Sequence, residues 1–415
     1  MVFFLGTIFR AVFGLAAGLF KLCSAILGIL LGVLVMLWFL LDELPLGDPP
    51  AEIAQAADSD YLDMHVHVAG IGAGNSGCFI SPQLRDSYKF RFYLHAFGIT
   101  EERLLERGDG VVVEHLSNLI SESRHVGRAV VLALDGVVNE AGELDREKTE
   151  VYVPNEFVVK ETAKHDNLLF GASINPYRPD ALRRLVSAKR QGAVLVKWIP
   201  SIMHIDPADE RLIPFYLSLI ELDLPLLTHA GKEASFIRSE DDFNDPERLE
   251  LPLRLGVTVI AAHIATTGEK EGVDNFYRLL PLFKKYPNLY ADISSLTQIN
   301  KMGYLSAALK LDYLSGRLIY GSDWPLQFFP LVSPWYQLKD ISPATARYIF
   351  KLDNAWDRDV LLKKAMGVPE DVFLRSEQLL TNRRALADVV GTVSDSVPQP
   401  DFAPGENLVG DRPQE

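Results

Sequence analysis

Residues 224–325 contain four short apolar runs at nearly constant spacing: LPLLTHAG (224–231), VTVIAAHI (257–264), LYADIS (289–294) and LIYGSDWP (318–325). Short apolar runs of this kind are typical of strands that are buried on both faces. Helical patterns lie between them, for example EGVDNFYRLLPLFKKY (271–286). The alternation indicates βα units that build a parallel sheet.

The same pattern extends toward the N-terminus through four further runs: YLDMHVHV (61–68), AVVLALDG (129–136), LLFGASINP (168–176) and AVLVKWIP (193–200). The runs number eight, so we predict a (β/α)₈ TIM barrel over residues 61–385. The long separation of the first two runs indicates an insertion through residues 69–110. An open doubly wound sheet is the alternative, but it needs a Gly-rich phosphate turn after the first strand, which this sequence lacks.

Ionisable side chains stand where the predicted strands end. His65 and His67 end the first strand, and four later strands end in Lys197, His229, His263 and Asp323. Barrel active sites lie at this edge, and residues two apart on a strand share a face. Alone, a histidine here is commonly a hydrogen-bonded core residue, and Asp323 in GSDWP fits a turn cap. Burying several such groups together is costly unless a charge pairs them, so we predict a divalent metal ion among them.

This set of motifs resembles the amidohydrolase superfamily. The closer match is its amidohydrolase-related branch, which also contains decarboxylases of the aminocarboxymuconate-semialdehyde type. The resemblance rests on HVH in the first strand, Lys in the fourth, His in the fifth and sixth, and GSDWP in the eighth. It spans residues 61 to about 366, including NPYRPDAL after the third strand and NAWDRDVLLKKAMG near its end.

The resemblance implies a role for each strand-end residue. His65, His67 and Asp323 bind the first metal ion, and His229 completes that site or belongs to a second one. His263 is either a ligand of the second ion or a catalytic base and oxyanion partner. The donor set suits zinc first, with manganese or iron as alternatives, and permits one ion or two.

Lys197 is the diagnostic residue of this set. At an effective dielectric of about 20, an ammonium about 4 Å from a cation is repelled by about 4 kcal/mol per unit charge. The lysine is therefore expected either to be carboxylated and to bridge two ions, or to turn its amine away from the metal.

With such a site, the sequence predicts a metal-dependent hydrolase that cleaves an ester, lactone or amide bond with metal-activated water. Asp323 would take the proton of that water, and His263 would help to stabilise the oxyanion. Arg178 and Trp198 are candidate substrate-binding residues near the rim, although Arg178 fits a surface salt bridge equally well. The sequence leaves two alternatives: a non-oxidative decarboxylase acting on a carboxylated aromatic or muconate-like substrate, and a non-catalytic membrane-anchored barrel.

The N-terminal flank is apolar. Residues 22–41 are twenty residues without a charge, preceded by Arg10 and Lys21 and followed by Asp42 and Glu43. Such a run is long enough to cross a bilayer, and the positive-inside bias puts the barrel on the periplasmic or extracytoplasmic side. A cleaved signal peptide is the alternative, but no clear small-x-small cleavage site follows. We therefore predict a single-pass membrane helix within residues 1–45, a linker over 46–60 and a disordered tail over 386–415.

Composition limits the partners. The 415 residues carry a formal net charge of −14, with 48% hydrophobic and 23% charged residues, which is ordinary for a globular protein. An acidic chain without a basic cluster argues against nucleic acid as a partner. Two cysteines, Cys23 and Cys78, cannot build a disulfide framework. The predicted partner is a small-molecule substrate, and the sequence indicates no particular oligomeric state.

Overall fold

The computed structural model describes residues 46–380, and its centre is one sheet of eight parallel strands in chain order. The strands are β1 Tyr61–His67, β2 Val126–Leu132, β3 Leu168–Ala172, β4 Leu195–Trp198, β5 Leu226–Thr228, β6 Val259–Ala261, β7 Leu289–Asp292 and β8 Leu318–Ile319. Seven of them lie within the predicted runs, and β2 overlaps its run but begins three residues before it. The predicted parallel α/β architecture is therefore confirmed.

The two edges of this sheet also meet. Val66 in β1 forms a parallel bridge with Trp324, which follows β8. The His67 N–H donates to the Trp324 carbonyl at 2.9 Å, and the Asp323 N–H donates to the His65 carbonyl at 2.9 Å. The curled sheet thus fits a TIM barrel, and the contact places the ends of β1 and β8 side by side.

Helices lie between and beyond the strands. They are α1 Ala51–Ala54, α2 Pro82–Arg85, α3 Tyr88–Phe97, α4 Glu101–Arg107, α5 Gly110–Ser121, α6 Asn155–Thr162, α7 Ala181–Arg190, α8 Pro200–Met203, α9 Ile213–Glu221, α10 Glu250–Leu255, α11 Asn275–Lys285, α12 Tyr304–Leu309, α13 Pro343–Phe350 and α14 Ala355–Ala365. Residues 370–380 are also helical. Helices α2 to α4 fall inside the predicted insertion, so this segment is a folded subdomain of the first βα connection.

The barrel interior is filled by one apolar cluster. Its members come from successive strands and include Leu62, Met64, Leu132, Leu227 and Ile260, all of them fully buried. Leu379 and Leu380 join this cluster from the helix at 370–380. The same helix donates a hydrogen bond from Ser376 Oγ to the Tyr320 carbonyl at 2.8 Å. The helix therefore covers the end of the barrel opposite the carboxyl ends of the strands.

Strand β1 changes face before its end. Leu62 and Met64 belong to the inner cluster, so regular alternation would also turn Val66 inward. Instead Val66 packs in the layer between the strands and the helices, and the register with β2 is irregular between Asp63 and Val66. An irregularity of this kind re-aims the side chains that follow it. As a result His65 and His67 both reach the barrel mouth.

Two predicted segments fall beyond the described residues. The membrane helix within residues 1–45 and the tail over 386–415 lie outside them, so both stay predictions. Within residues 46–380, no helix has the length and apolar character that a membrane crossing requires. The predicted linker is partly structured, because α1 lies in it and buries Ile53.

Candidate active site

Three potential metal ligands converge where β1 meets the segment after β8. His65 Nε2 and His67 Nε2 are 3.1 Å apart. Asp323 Oδ1 lies 3.6 Å from His65 Nε2 and 3.4 Å from His67 Nε2. The structure thus brings together the three residues predicted for the first metal ion. Asp323 holds a left-handed backbone conformation with φ of 66°, which turns its carboxylate toward the histidines.

The hydrogen bonds around His65 fix its tautomer. Its Nδ1 lies 2.8 Å from Asp292 Oδ2, so Nδ1–H donates to that carboxylate and Nε2 keeps its lone pair. Burial, and after it the charge of Lys197, lowers the pKa of His65 to about 4. The imidazole is neutral at physiological pH. A carboxylate behind a histidine is the usual support of a histidine ligand.

The hydrogen bonds around His263 fix its tautomer in the same way. The Ser294 hydroxyl donates its hydrogen to Asp292 Oδ1, so Ser294 Oγ, 2.8 Å from His263 Nδ1, accepts from the ring. This leaves the lone pair on Nε2, which lies 3.9 Å from Asp323 Oδ2. Burial, and then the positive charge of Lys301, holds the pKa of His263 well below its usual value. His263 is therefore a neutral acceptor aimed at the second oxygen of Asp323.

The donor set fits a divalent metal ion. The lone pair of His65 Nε2 and the Asp323 Oδ1 oxygen, 3.6 Å apart, repel each other unless a proton or a cation lies between them, and His67 Nε2 is within 3.4 Å of both. Two nitrogens and one oxygen are ligands that zinc accepts, with room for a further position. Burial alone would raise the pKa of Asp323, but interactions with the surrounding histidines outweigh it and the pKa lies well below its usual value. The carboxylate is therefore ionised and ready to bind a cation.

His229 lies next to this group but outside it. The ligand atoms that cluster are those of His65, His67 and Asp323, and His229 is in neither cluster found among residues 46–380. Its ring packs edge-on against His263 with centroids 5.3 Å apart. The buried His229 Nε2 makes no hydrogen bond within the described part of the chain, although Glu233 Oε2 is 3.5 Å away. An orphaned nitrogen here is available to a ligand or to a second ion.

Lys197 points into the site. Its Nζ lies 3.2 Å from His65 Nε2, and the whole side chain is buried. Burial lowers the pKa of Lys197 to about 8. Lys197 also lines the cavity, so both predicted arrangements, a carboxylated lysine that bridges two ions and an amine turned toward substrate or a nearby carboxylate, stay predictions.

Asp292 is the site residue that the sequence prediction missed. It ends β7, the strand that supplied no predicted ligand, and its two oxygens serve His65 on one side and His263 and Ser294 on the other. The imidazole of His65 holds the pKa of this carboxyl far below its usual range, although burial alone would raise it. The regular recurrence of polar strand ends was the signal that could have found it.

Replacing Asp292 with asparagine should weaken metal binding by about tenfold to a hundredfold. Asparagine keeps one carbonyl oxygen for the His263 N–H, but its NH₂ would face His65 Nδ1–H. This clash favours the other tautomer, which places the hydrogen on Nε2 and removes the lone pair that binds metal. Metal affinity measured by chelator competition tests the effect, with the exposed Asp166→Asn as the control. Equal affinity in both variants would contradict the assigned tautomer.

The structure places the two predicted substrate-binding residues away from the histidines. Arg178 makes a buried two-bond salt bridge to Asp135, with Nε and an NH₂ group 2.8 and 2.6 Å from its oxygens. Trp198 is fully buried, donates its indole N–H to Thr228 Oγ1 and stacks on Phe215. Arg178 is held in place by Asp135 and Trp198 by Thr228, and the sequence pattern did not identify either partner. Neither residue lines the cavity in front of the metal ligands.

That cavity has a volume of about 180 Å³ and opens above His65, His67, His263 and Asp323. Helices α2 to α4 form much of its wall, together with residues after β5, β7 and β8. Its polar lining includes Lys301 and Glu233. The folded insertion thus encloses the space in which a substrate would meet the strand-end residues.

Comparison with known proteins gives one family. The model of the family described as "Amidohydrolase" matches residues 128–362. No curated protein matches the sequence.

Three of the solved structures that are similar to this chain share 12–15% of its sequence. An uncharacterised TIM-barrel protein from Bordetella bronchiseptica is 15% identical, with 78% of this chain and 98% of that chain covered and a TM-score of 0.46. The 5-carboxyvanillate decarboxylase of Sphingomonas paucimobilis is 12% identical, with coverage of 78% and 99% and a TM-score of 0.43. An IDCase of Metarhizium anisopliae is 14% identical, with coverage of 80% and 98% and a TM-score of 0.43.

Proposed function

The chain belongs to the amidohydrolase family, and from that premise we propose that it is a metal-dependent hydrolase that cleaves an ester, lactone or amide bond with water. The observation that supports this most is the convergence of His65 Nε2, His67 Nε2 and Asp323 Oδ1 at the floor of an enclosed cavity. Three converging ligands with an open side are typical of catalytic rather than structural metal sites.

His65, His67 and Asp323 would hold the ion, with His229 and Lys197 close enough to extend the site. Zinc is the first candidate, and manganese or iron are the alternatives. When bound, a divalent ion supplies Lewis acidity toward a carbonyl oxygen and makes water more acidic at neutral pH.

The proton transfers are assigned to Asp323 and His263. Asp323 Oδ2, the oxygen turned away from His65 and His67, accepts the proton of the attacking water and returns it to the leaving atom. His263 Nε2 accepts a hydrogen bond while neutral. It donates to the oxygen on which negative charge develops only while it holds the proton that Asp323 Oδ2, 3.9 Å away, has taken from the water, and that proton then returns through Asp323 to the leaving atom. The hydrogen bond from Ser295 Oγ to Asp323 Oδ2 keeps that oxygen in position between the two steps.

Metal analysis and product analysis together test the proposed function. The purified full-length protein should contain about one divalent ion per chain. A panel of aryl esters, lactones and anilides in ¹⁸O-water should give at least one product acid that carries the label. Release of carbon dioxide from a carboxylated aromatic without uptake of label would identify a decarboxylase instead. Protein prepared without chelator that holds no metal would refute both activities and leave a non-catalytic barrel.

A further inference from the structure

The cavity above the metal ligands is predominantly apolar. Its wall on the side of the insertion consists of aliphatic and aromatic side chains, among them Leu84, Phe90, Leu94 and Phe97. Leu134 and Leu326 face the same space from the second and eighth βα connections. Most of a substrate that fills this space would therefore contact hydrocarbon.

Lys301 is one of the charged residues in this lining, together with Lys197, Lys232, Glu233 and Asp323. It lies in a short turn after β7, lines the cavity, and is only 8% exposed. Among residues 46–380, no acceptor lies within hydrogen-bonding or ion-pairing distance of its Nζ. An ammonium at the wall of a largely apolar cavity, without an anionic partner, is incompletely solvated, which costs free energy. Burial accordingly lowers the pKa of Lys301, and the carboxylates of Asp323 and Glu233 offset only part of this effect.

The backbone holds this lysine in place. The Lys301 N–H donates to the Gln298 carbonyl at 2.9 Å, and Gln298 Nε2 donates to Ser295 Oγ at 3.1 Å. Ser295 in turn donates to Asp323. Lys301 is thus connected through two residues to the proposed proton acceptor, so its position relative to the reacting atoms is defined.

Of the carboxylates near Lys301, Asp323 belongs to the proposed metal ligands, and Glu233 is in contact with other groups. Glu233 Oε1 accepts the Ser235 N–H at 2.6 Å, and Glu233 Oε2 lies beside His229. The Lys301 ammonium is therefore available to pair with the anionic group of a ligand that enters the cavity.

We propose that the cavity binds an apolar carboxylate whose anionic group pairs with Lys301 and whose hydrocarbon body lies against the wall formed by α2 to α4. Only the reacting end, at Asp323, rests on the proposed function. Lys301 is then a specificity residue that selects monoanionic over neutral substrates. A charge-assisted hydrogen bond in an apolar surrounding is among the stronger contacts that a protein can offer.

Calorimetric titration of the metal-loaded full-length protein tests both parts of this inference. We expect 4-phenylbutyrate to bind about tenfold to a hundredfold more tightly than 4-phenylbutyramide. Affinity should rise about fourfold with each added methylene along benzoate, phenylacetate, 3-phenylpropionate and 4-phenylbutyrate. In Lys301→Met the carboxylate and the amide should bind equally, whereas Lys301→Arg should keep the preference.

The control is Lys310→Met, an exposed lysine nine positions along the chain, which should leave both affinities unchanged. A preference for carboxylate that survives in Lys301→Met would show that the metal or another group binds the anion, and would overturn the proposal. Equal affinity along the series would overturn its apolar part. Metal content and ¹⁸O uptake measured on the same samples separate the two proposals, since their loss counts against the hydrolase and not against the lysine.

Discussion

Replacement of Asp323 by asparagine should reduce kcat by at least about a thousandfold, while the thermal unfolding temperature stays within a few degrees of the original. The change removes an anionic ligand and the proposed proton acceptor together, and each contributes large factors to catalysis. Asparagine tolerates the left-handed conformation that residue 323 adopts, with φ of 66°, about as well as aspartate does. Its carbonyl oxygen can still accept from Ser295 Oγ. The fold should therefore survive the loss of activity.

The exposed Asp312→Asn is the matched control and should retain full turnover. Steady-state kinetics on the best substrate of the panel, with metal content determined on the same preparation, separates loss of the ion from loss of the base. A variant at position 323 that turns over within about tenfold of the original would remove this residue from the proton transfers.

The strands, and the edge of the barrel at which the site lies, could be predicted because both follow from the local pattern of apolar residues in the sequence. Each strand is a short run of mainly apolar residues, and Lys197, His229 and His263 stand within two residues of the ends of β4, β5 and β6. Since parallel strands in a barrel end at one edge, residues at the carboxyl ends of different strands lie close to one another. The convergence of these residues with His65, His67 and Asp323 follows from that rule.

The orientation of His65 and His67 follows from a feature that the pattern does not show. Alternation along β1 would turn them away from the interior once Leu62 and Met64 point inward. The irregular register with β2 reverses this, and register depends on contacts with another strand. Asp292 was missed for a related reason, since its function lies in holding two histidines and not in any motif of its own.

For Arg178 the sequence left two readings open, because a positive charge near a predicted rim fits a substrate contact and a salt bridge equally well until its partner is known. Replacing Arg178 with methionine should destabilise the protein by about 3–5 kcal/mol, since it leaves the carboxylate of Asp135 buried without its counter-charge. Both side chains are only 6% exposed, so water cannot substitute for the guanidinium. The specific activity of the remaining folded protein should stay close to the original, because Arg178 does not line the cavity.

Two variants make this stability prediction decisive. Arg184→Met breaks a salt bridge to Asp180 that is about one-third exposed on both sides, and it should cost less than about 1 kcal/mol. The double variant Arg178→Met with Asp135→Asn removes both charges and should recover part of the loss, because no uncompensated charge stays buried and the amide oxygen can still accept from one of the two N–H groups, Gly136 or Asn175, that the carboxylate binds. Denaturant unfolding measures all three free energies. If Arg178→Met instead unfolds like the original protein and loses substrate affinity, the arginine acts on the substrate and the salt bridge is incidental.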